Sequence, residues 1–250
     1  MSTPELAVVV GATGAFGTAI VDRLLGCGLR VVAVARSEEA LRMLADGRPG
    51  LIPCRADIGD DSAIEAIRSV LDGPVRMIVH GPGLAVAGGV LSTPVGAVVD
   101  AANIKVGGLL RLVRAVDGHL RKHSRLVAIG GHYGFEPSAY AAAAGAGNAA
   151  LVNVVRQLSL AYGERGITAH LVSPGPADTE RMRKVAADRA RSRGVPVEAV
   201  IDEMRVESSL KAFTTPEQVA WGVSLLLAPE ADAMTGSSLM LDSGRRRGLP

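Results

Sequence analysis

The chain has 250 residues, 48% of them hydrophobic and 21% charged, with 27 basic against 25 acidic side chains and a net charge of +2. That size and apolar content suit one α/β domain with a sizeable buried core, and the balance of charge offers nothing that points to nucleic acid. No apolar run approaches the roughly 20 residues of a membrane span, and the start MSTPELAVVVG lacks a basic leader, so a cytoplasmic protein without membrane attachment is expected.

Leu6 to Val10 is a short, β-branched run ending in glycine, the pattern of a fully buried parallel strand. Ala15 to Leu25 has helical periodicity, stopped by Gly26 to Gly28. Arg30 to Ala35 is a second buried strand, and Ser37 can cap a helix over Glu38 to Ala45. Strand Leu51 to Cys54, helix Ser62 to Leu71 and strand Arg76 to Val79 follow. A long helix is predicted over Val95 to Leu120, then strand Leu126 to Ile129, helix Ser138 to Tyr162 and strand Thr168 to Val172. Pro216 to Leu227 reads as a helix with proline in its first position, and Ser238 to Leu241 as a last strand. This alternation predicts a single α/β domain over residues 1–250, a doubly wound parallel sheet of Rossmann type.

Residues 178–212 break the pattern. They are charged and helical in character, and are expected to form either a substrate lid or a fixed pair of surface helices. Cys27 and Cys54 give no disulfide framework and no metal spacing, so both are expected to be reduced and buried and no metal is expected. The run Arg245 to Arg247 reads as a solvated tail.

GATGAFG, with Gly11, Gly14 and Gly17, lies between the first strand and the first helix. Glycines there let the backbone turn tightly and approach a pyrophosphate at a helix N-terminus, so Gly11, Thr13, Gly14, Ala15, Phe16 and Gly17 are candidate cofactor ligands. Arg36, just past the second strand, can pair with a 2′-phosphate, and Ser37 can add a hydrogen bond. Further along stand Asp57-Ile58, HGPG over 80–83, Asn103 in AANIKVGG, PGPADT over 174–179, and TTPEQVAWGVSLLLAPEADAMTGSSLMLDSG.

Together these motifs resemble the short-chain dehydrogenase/reductase family over essentially the whole chain. The turn resembles the family's TGxxxGxG, with Val10 for the threonine and Ala15 for the middle glycine. The resemblance implies that Asp57 and Ile58 hold the adenine, that His80, Gly81 and Pro82 stand in the NNAG segment, and that Pro174, Gly175, Ala177 and Thr179 contact the nicotinamide side. NAD-preferring members carry an acidic residue at the end of the second strand. Ala35, Arg36 and Ser37 occupy that place here, so NADP(H) is the expected cofactor.

The family's chemistry uses an Asn, a Ser, a Tyr and a Lys four residues after the Tyr. Asn103 and Tyr140 are present, but Gly130 and Gly131 stand in place of the serine and Ala144 follows Tyr140 by four. A free phenol titrates near pH 10, so without a neighbouring cation it can donate a proton but is a poor base, which favours carbonyl reduction over alcohol oxidation. Tyr140 is the expected proton donor. His132 is a possible stand-in on account of its ordinary pKa, or simply a loop histidine. Lys105 is two residues from Asn103, and residues two apart do not share a helical face, so it is not expected to replace the lysine. Asn148, one turn beyond Ala144, could order a water.

The reading is an NADPH-dependent reductase of a small hydrophobic ketone. The alternatives are a nicotinamide-binding sensor or partner subunit without turnover, and non-redox chemistry such as dehydration or isomerisation on the same scaffold. The resemblance also implies a homotetramer or homodimer.

Overall fold

The structure, a computed structural model, describes residues 4–84 and 88–248. Seven parallel strands are arranged in the order β3-β2-β1-β4-β5-β6-β7. They are β1 (Leu6–Val10), β2 (Arg30–Ala35), β3 (Leu51–Arg55), β4 (Val75–His80), β5 (Leu120–Ile129), β6 (Thr168–Pro174) and β7 (Ser238–Leu241). The helices are α1 (Ala15–Gly26), α2 (Glu38–Ala45), α3 (Ser62–Arg68), α4 (Val95–Ala102), α5 (Gly108–Val116), α6 (Ala142–Tyr162), α7 (Glu180–Arg193), α8 (Val197–Val206) and α9 (Pro216–Leu225).

Strand β1 shows why its sequence is an unbroken apolar run. Leu6, Val8 and Val10 pack into the core shared with α3, α5 and α6. Ala7 and Val9 point the other way, into the core shared with α1, α2 and α9. A sheet covered on both faces needs apolar side chains at every position rather than at alternate ones. The doubly wound α/β fold expected from the sequence is therefore the one observed.

Several boundaries differ from expectation. The predicted helix over 95–120 is interrupted by a π-helical turn at Asn103–Gly107, in which the Gly108 amide donates to the Asn103 carbonyl. It then ends at Val116, and a 3₁₀ turn leads into a β5 that begins at Leu120. The predicted helix over 138–162 starts only at Ala142, because Gly88 and Ala141 form a parallel bridge and the Ala142 amide donates to the Gly88 carbonyl at 3.0 Å. Tyr140 therefore precedes α6. Cys54 is buried, as expected, and burial pushes its thiol pKa up. Cys27 is exposed, because α1 ends there and turns away from the sheet.

Residues 180–206 form the helix pair α7 and α8, which has its own small core of Met182, Ala186, Ala190, Val200 and Met204. Arg193 clamps Glu203 across the pair with bonds of 2.6 and 2.9 Å. No helix among the described residues is long and apolar enough to cross a membrane, and no group of three or more His, Cys, Asp or Glu there could hold a metal ion.

Candidate active site

A cleft follows the C-terminal edge of the sheet and crosses the β1/β4 boundary, where the strand order reverses. Open α/β sheets bind ligands at this point because the crossover helices diverge there. The turn after β1 is locked from below. Gly11 has φ +81°, and a Cβ on it would lie 2.8 Å from the Gly81 carbonyl oxygen. A Cβ on Gly17 would lie 2.1 Å from the Gly11 carbonyl oxygen. Gly14 precedes α1 without a side-chain cap, so the first amides of that helix are available to an anionic ligand.

Gly11, Thr13, Gly14, Arg36, Asp57, Ile58 and Pro82 line one cavity of about 330 Å³. Glu38 pairs with Arg55 at 3.6 Å rather than with Arg36. Arg36 is exposed at the cavity wall and, among the described residues, has no ionic partner. Ser37 is already committed as the cap of α2, its oxygen accepting from the Ala40 amide at 3.2 Å. Asp57 braces its own loop by accepting from the Gly59 amide at 3.0 Å. The glycine cradle, the open helix start and the free guanidinium together fit a phosphorylated dinucleotide.

A second, apolar cavity of about 230 Å³ lies at the ends of β5 and β6. Phe16, Gly130, Gly131, His132, Tyr140, Ala144, Pro174, Gly175, Ala177 and Thr179 line it, with Met182, Val185 and Met204 as its outer wall. Gly175 is needed because a Cβ there would lie 2.9 Å from Asp242 Cα. Thr179 caps α7, accepting from the Met182 amide at 3.3 Å. The structure thus joins the PGPADT loop, His132 and Tyr140 around one space.

Two residues singled out from the sequence are directed elsewhere. Asn103 donates to the Gly59 carbonyl at 2.9 Å and accepts from Arg111 at 2.9 Å. Its side chain ties the loop between β3 and α3 to α5 and faces the Arg36–Asp57 end of the cleft, away from Tyr140. His80 is fully buried and lies 3.0 Å from the Ile104 carbonyl through Nε2. A carbonyl only accepts, so Nε2 carries the hydrogen. Burial, with the nearby Lys105 ammonium, drives its pKa down to about 3, and it is neutral. His80 therefore supports the π-helical turn, and its side chain does not line the cleft.

The two proposed proton donors also differ from expectation. Tyr140 is 69% exposed, and the Arg189 guanidinium of α7 lies 5.5 Å from its ring centroid. His132 is buried against Tyr133, its pKa lowered to about 4 by burial and by Arg245. It is neutral at pH 7, so it can offer a single ring N–H as a hydrogen-bond donor but not the proton of an imidazolium.

Lys105 and Arg181 acquire a place in the site that sequence reasoning did not give them, and Asn148, read from the sequence as able to order a water, joins them. Asn148 of α6 is buried beside Gly131, with Oδ1 unpartnered among the described residues. Lys105 is buried and donates to the Ile129 carbonyl at 3.0 Å, at the very end of β5. Arg181 of α7 reaches across the cleft, so that a Cβ on Gly83 would lie 3.3 Å from its Nη1.

The comparisons agree with this architecture. The family described as Enoyl-(Acyl carrier protein) reductase matches the chain over residues 11–246. The chain belongs to the short-chain dehydrogenase/reductase family. The short-chain reductase protein NovJ of Streptomyces niveus is 26% identical, over 98% of this chain and 95% of its own length. The cyclic-di-GMP-binding biofilm dispersal mediator protein of Escherichia coli (strain K12) is 27% identical over 96% of both chains. A variant of actinorhodin polyketide ketoreductase, solved with NADPH, superposes with a TM-score of 0.88 at 26% identity, over 98% of this chain and 99% of the other.

Proposed function

We propose that this protein is an NADP(H)-dependent oxidoreductase that reduces the carbonyl of a small hydrophobic molecule. One observation carries the reading: the glycine cradle beside Arg36, which has no ionic partner among the described residues, and an apolar pocket lie along the same C-terminal edge of the sheet. The first part suits a 2′-phosphorylated dinucleotide and the second an uncharged substrate. The NADPH-bound ketoreductase relative supports both halves. When bound, the nicotinamide would supply the hydride. The chain's own residues would bind and orient the cofactor and enclose the carbonyl, and a water at the pocket mouth would give the proton that turns the alkoxide into the alcohol.

The site is non-standard. Asn148 is the α6 side chain packed against Gly131, and residue 144 lies one turn earlier on the same face. A Tyr–Lys pair aimed at the end of β5 therefore belongs at 144 and 148, where this chain has Ala and Asn. Tyr140 lies before the helix and serves as the lip of the substrate pocket beneath Arg189. Residues 178–212 act as the substrate lid, since Met182, Val185 and Met204 close the apolar cavity. The protein is expected to work in the cytoplasm as a homotetramer or homodimer.

A second reading, a nicotinamide-binding sensor or partner subunit, is favoured by the same three positions: Gly131, Ala144 and Asn148 bring no hydroxyl and no charge. Turnover separates the two. Sustained NADPH oxidation across a panel of ketones supports the reductase, and tight binding without oxidation supports the sensor. Product formed without net NADPH loss would indicate dehydration or isomerisation. In the reductase, Tyr140→Phe should retain most of the rate; its abolition would restore Tyr140 as the proton donor.

A further inference from the structure

Lys105 reaches the end of β5 by an unusual route. In a regular helix the residue two after Asn103 points to a different side. The π-helical turn at Asn103–Gly107 changes that rotation, and Lys105 is turned under the sheet edge, 7% exposed. Its stem passes α6 where Gly147 leaves a gap, since a Cβ on Gly147 would lie 3.3 Å from Lys105 Cγ. A glycine inside a helix costs about 1 kcal/mol relative to alanine, and here it admits a side chain from the neighbouring helix.

The ammonium ends at the Ile129 carbonyl, 3.0 Å away, directly before Gly130 and Gly131. An ammonium has three donors, and among the described residues only this one bond is made. Among the described residues no carboxylate pairs with it. The charged and titratable groups around it are Arg181 from α7 and neutral His80 from β4. A buried cation with one neutral partner is unfavourable for folding alone, and it ends at the Ile129 carbonyl, directly before Gly130 and Gly131 in the wall of the apolar cavity.

We propose that Lys105 supplies, from the π-helical turn after α4, the fixed positive charge of this active site and donates to the hydroxyls of the nicotinamide ribose. This rests on the NADP(H) reading above. Burial and the like charge of Arg181 lower its pKa to about 8, so the charge is present at neutral pH and disappears as the pH rises through that value.

Cofactor binding tests it without requiring turnover. NADPH and adenosine 2′,5′-bisphosphate, which lacks the nicotinamide half, are titrated by fluorescence and calorimetry into the wild type, Lys105→Met and Gly147→Ala. Lys105→Met should weaken NADPH about tenfold, the scale of one charge-assisted hydrogen bond, and leave the bisphosphate unchanged. Gly147→Ala, which displaces the stem, should act in the same direction. Wild-type NADPH affinity should fall as pH rises past about 8, and that fall should vanish in Lys105→Met. Unchanged NADPH affinity in Lys105→Met, or equal loss of both ligands, overturns the proposal. Should Lys105→Met not fold, Gly147→Ala and Lys105→Arg give the same comparison. A wild type that binds neither ligand overturns the NADP(H) reading itself and this proposal with it.

Discussion

Asn148 and Gly131 are in mutual contact: a Cβ on residue 131 would lie 2.9 Å from Asn148 Nδ2. The glycine and the buried amide fit only as a pair. Gly131→Ser should destabilise the fold by about 1–3 kcal/mol, the scale of overpacking in a tight interior. Asn148→Ala in the same chain should restore part of that loss, since the two positions share the space. A double-mutant cycle in urea measures the coupling, and additive losses would show that the serine is accommodated elsewhere.

Arg36 has no acidic partner among the described residues and stands beside the glycine cradle. Arg36→Ala should weaken NADPH by about 1.5–3 kcal/mol, the worth of a hydrogen bond to a charged group. NADH affinity should be nearly unchanged. Equal loss of both cofactors would place the guanidinium on a group other than the 2′-phosphate.

Gly17 lies so close to the Gly11 carbonyl that any side chain must move the turn. Gly17→Ala should abolish cofactor binding and lower the melting temperature together. Gly26, where an added Cβ meets nothing within 4 Å, is the control. Gly26→Ala should leave cofactor binding intact, and loss of binding in both variants would detach the effect from the turn.

Three buried histidines give the stability a pH dependence of defined sign. Burial is the leading cause in each, lowering His80 to about 3 and His132 and His170 to about 4. In the unfolded chain histidines protonate below about pH 6.5. Between about pH 6.5 and 4 the unfolded state therefore binds more protons, and stability falls as the pH falls. Each fully shifted histidine contributes up to about 1.4 kcal/mol per pH unit in that window. Chemical denaturation at pH 7, 6 and 5 reads the slope directly. A flat profile would mean that these rings are protonated in the folded protein.

The strands, the glycine-rich turn and Arg36 were legible in the sequence because their signals are local. Apolar runs, glycine at a forced turn and a basic residue at a strand exit need no knowledge of distant contacts. The start of α6 was not legible. Residues 139–147 are nearly all alanine and glycine, helix-compatible throughout, and the boundary is set by the long-range bridge from Gly88 to Ala141. That bridge moved the Tyr140 ring from the helix face to the pocket lip. Lys105 was missed for a related reason: a rule for 3.6 residues per turn does not apply across a π-helical turn. Gly147 and the Gly107–Gly108 pair were the available signals, since a Cβ on Gly108 would lie 2.8 Å from His80 Cε1.

The π-helical turn also links chain length to cleft chemistry. The turn holds one residue more than an α-helical turn needs, so deleting a single residue within 103–107 would let α4 and α5 run on as one α-helix with their faces kept near their present register. Both helices would keep their packing against the sheet, and the residues inside the turn, Lys105 among them, would lose the local rotation that carries that side chain beneath the sheet edge. A one-residue change in a segment remote from the cofactor turn would thus act as an on–off setting for positive charge beneath the nicotinamide end.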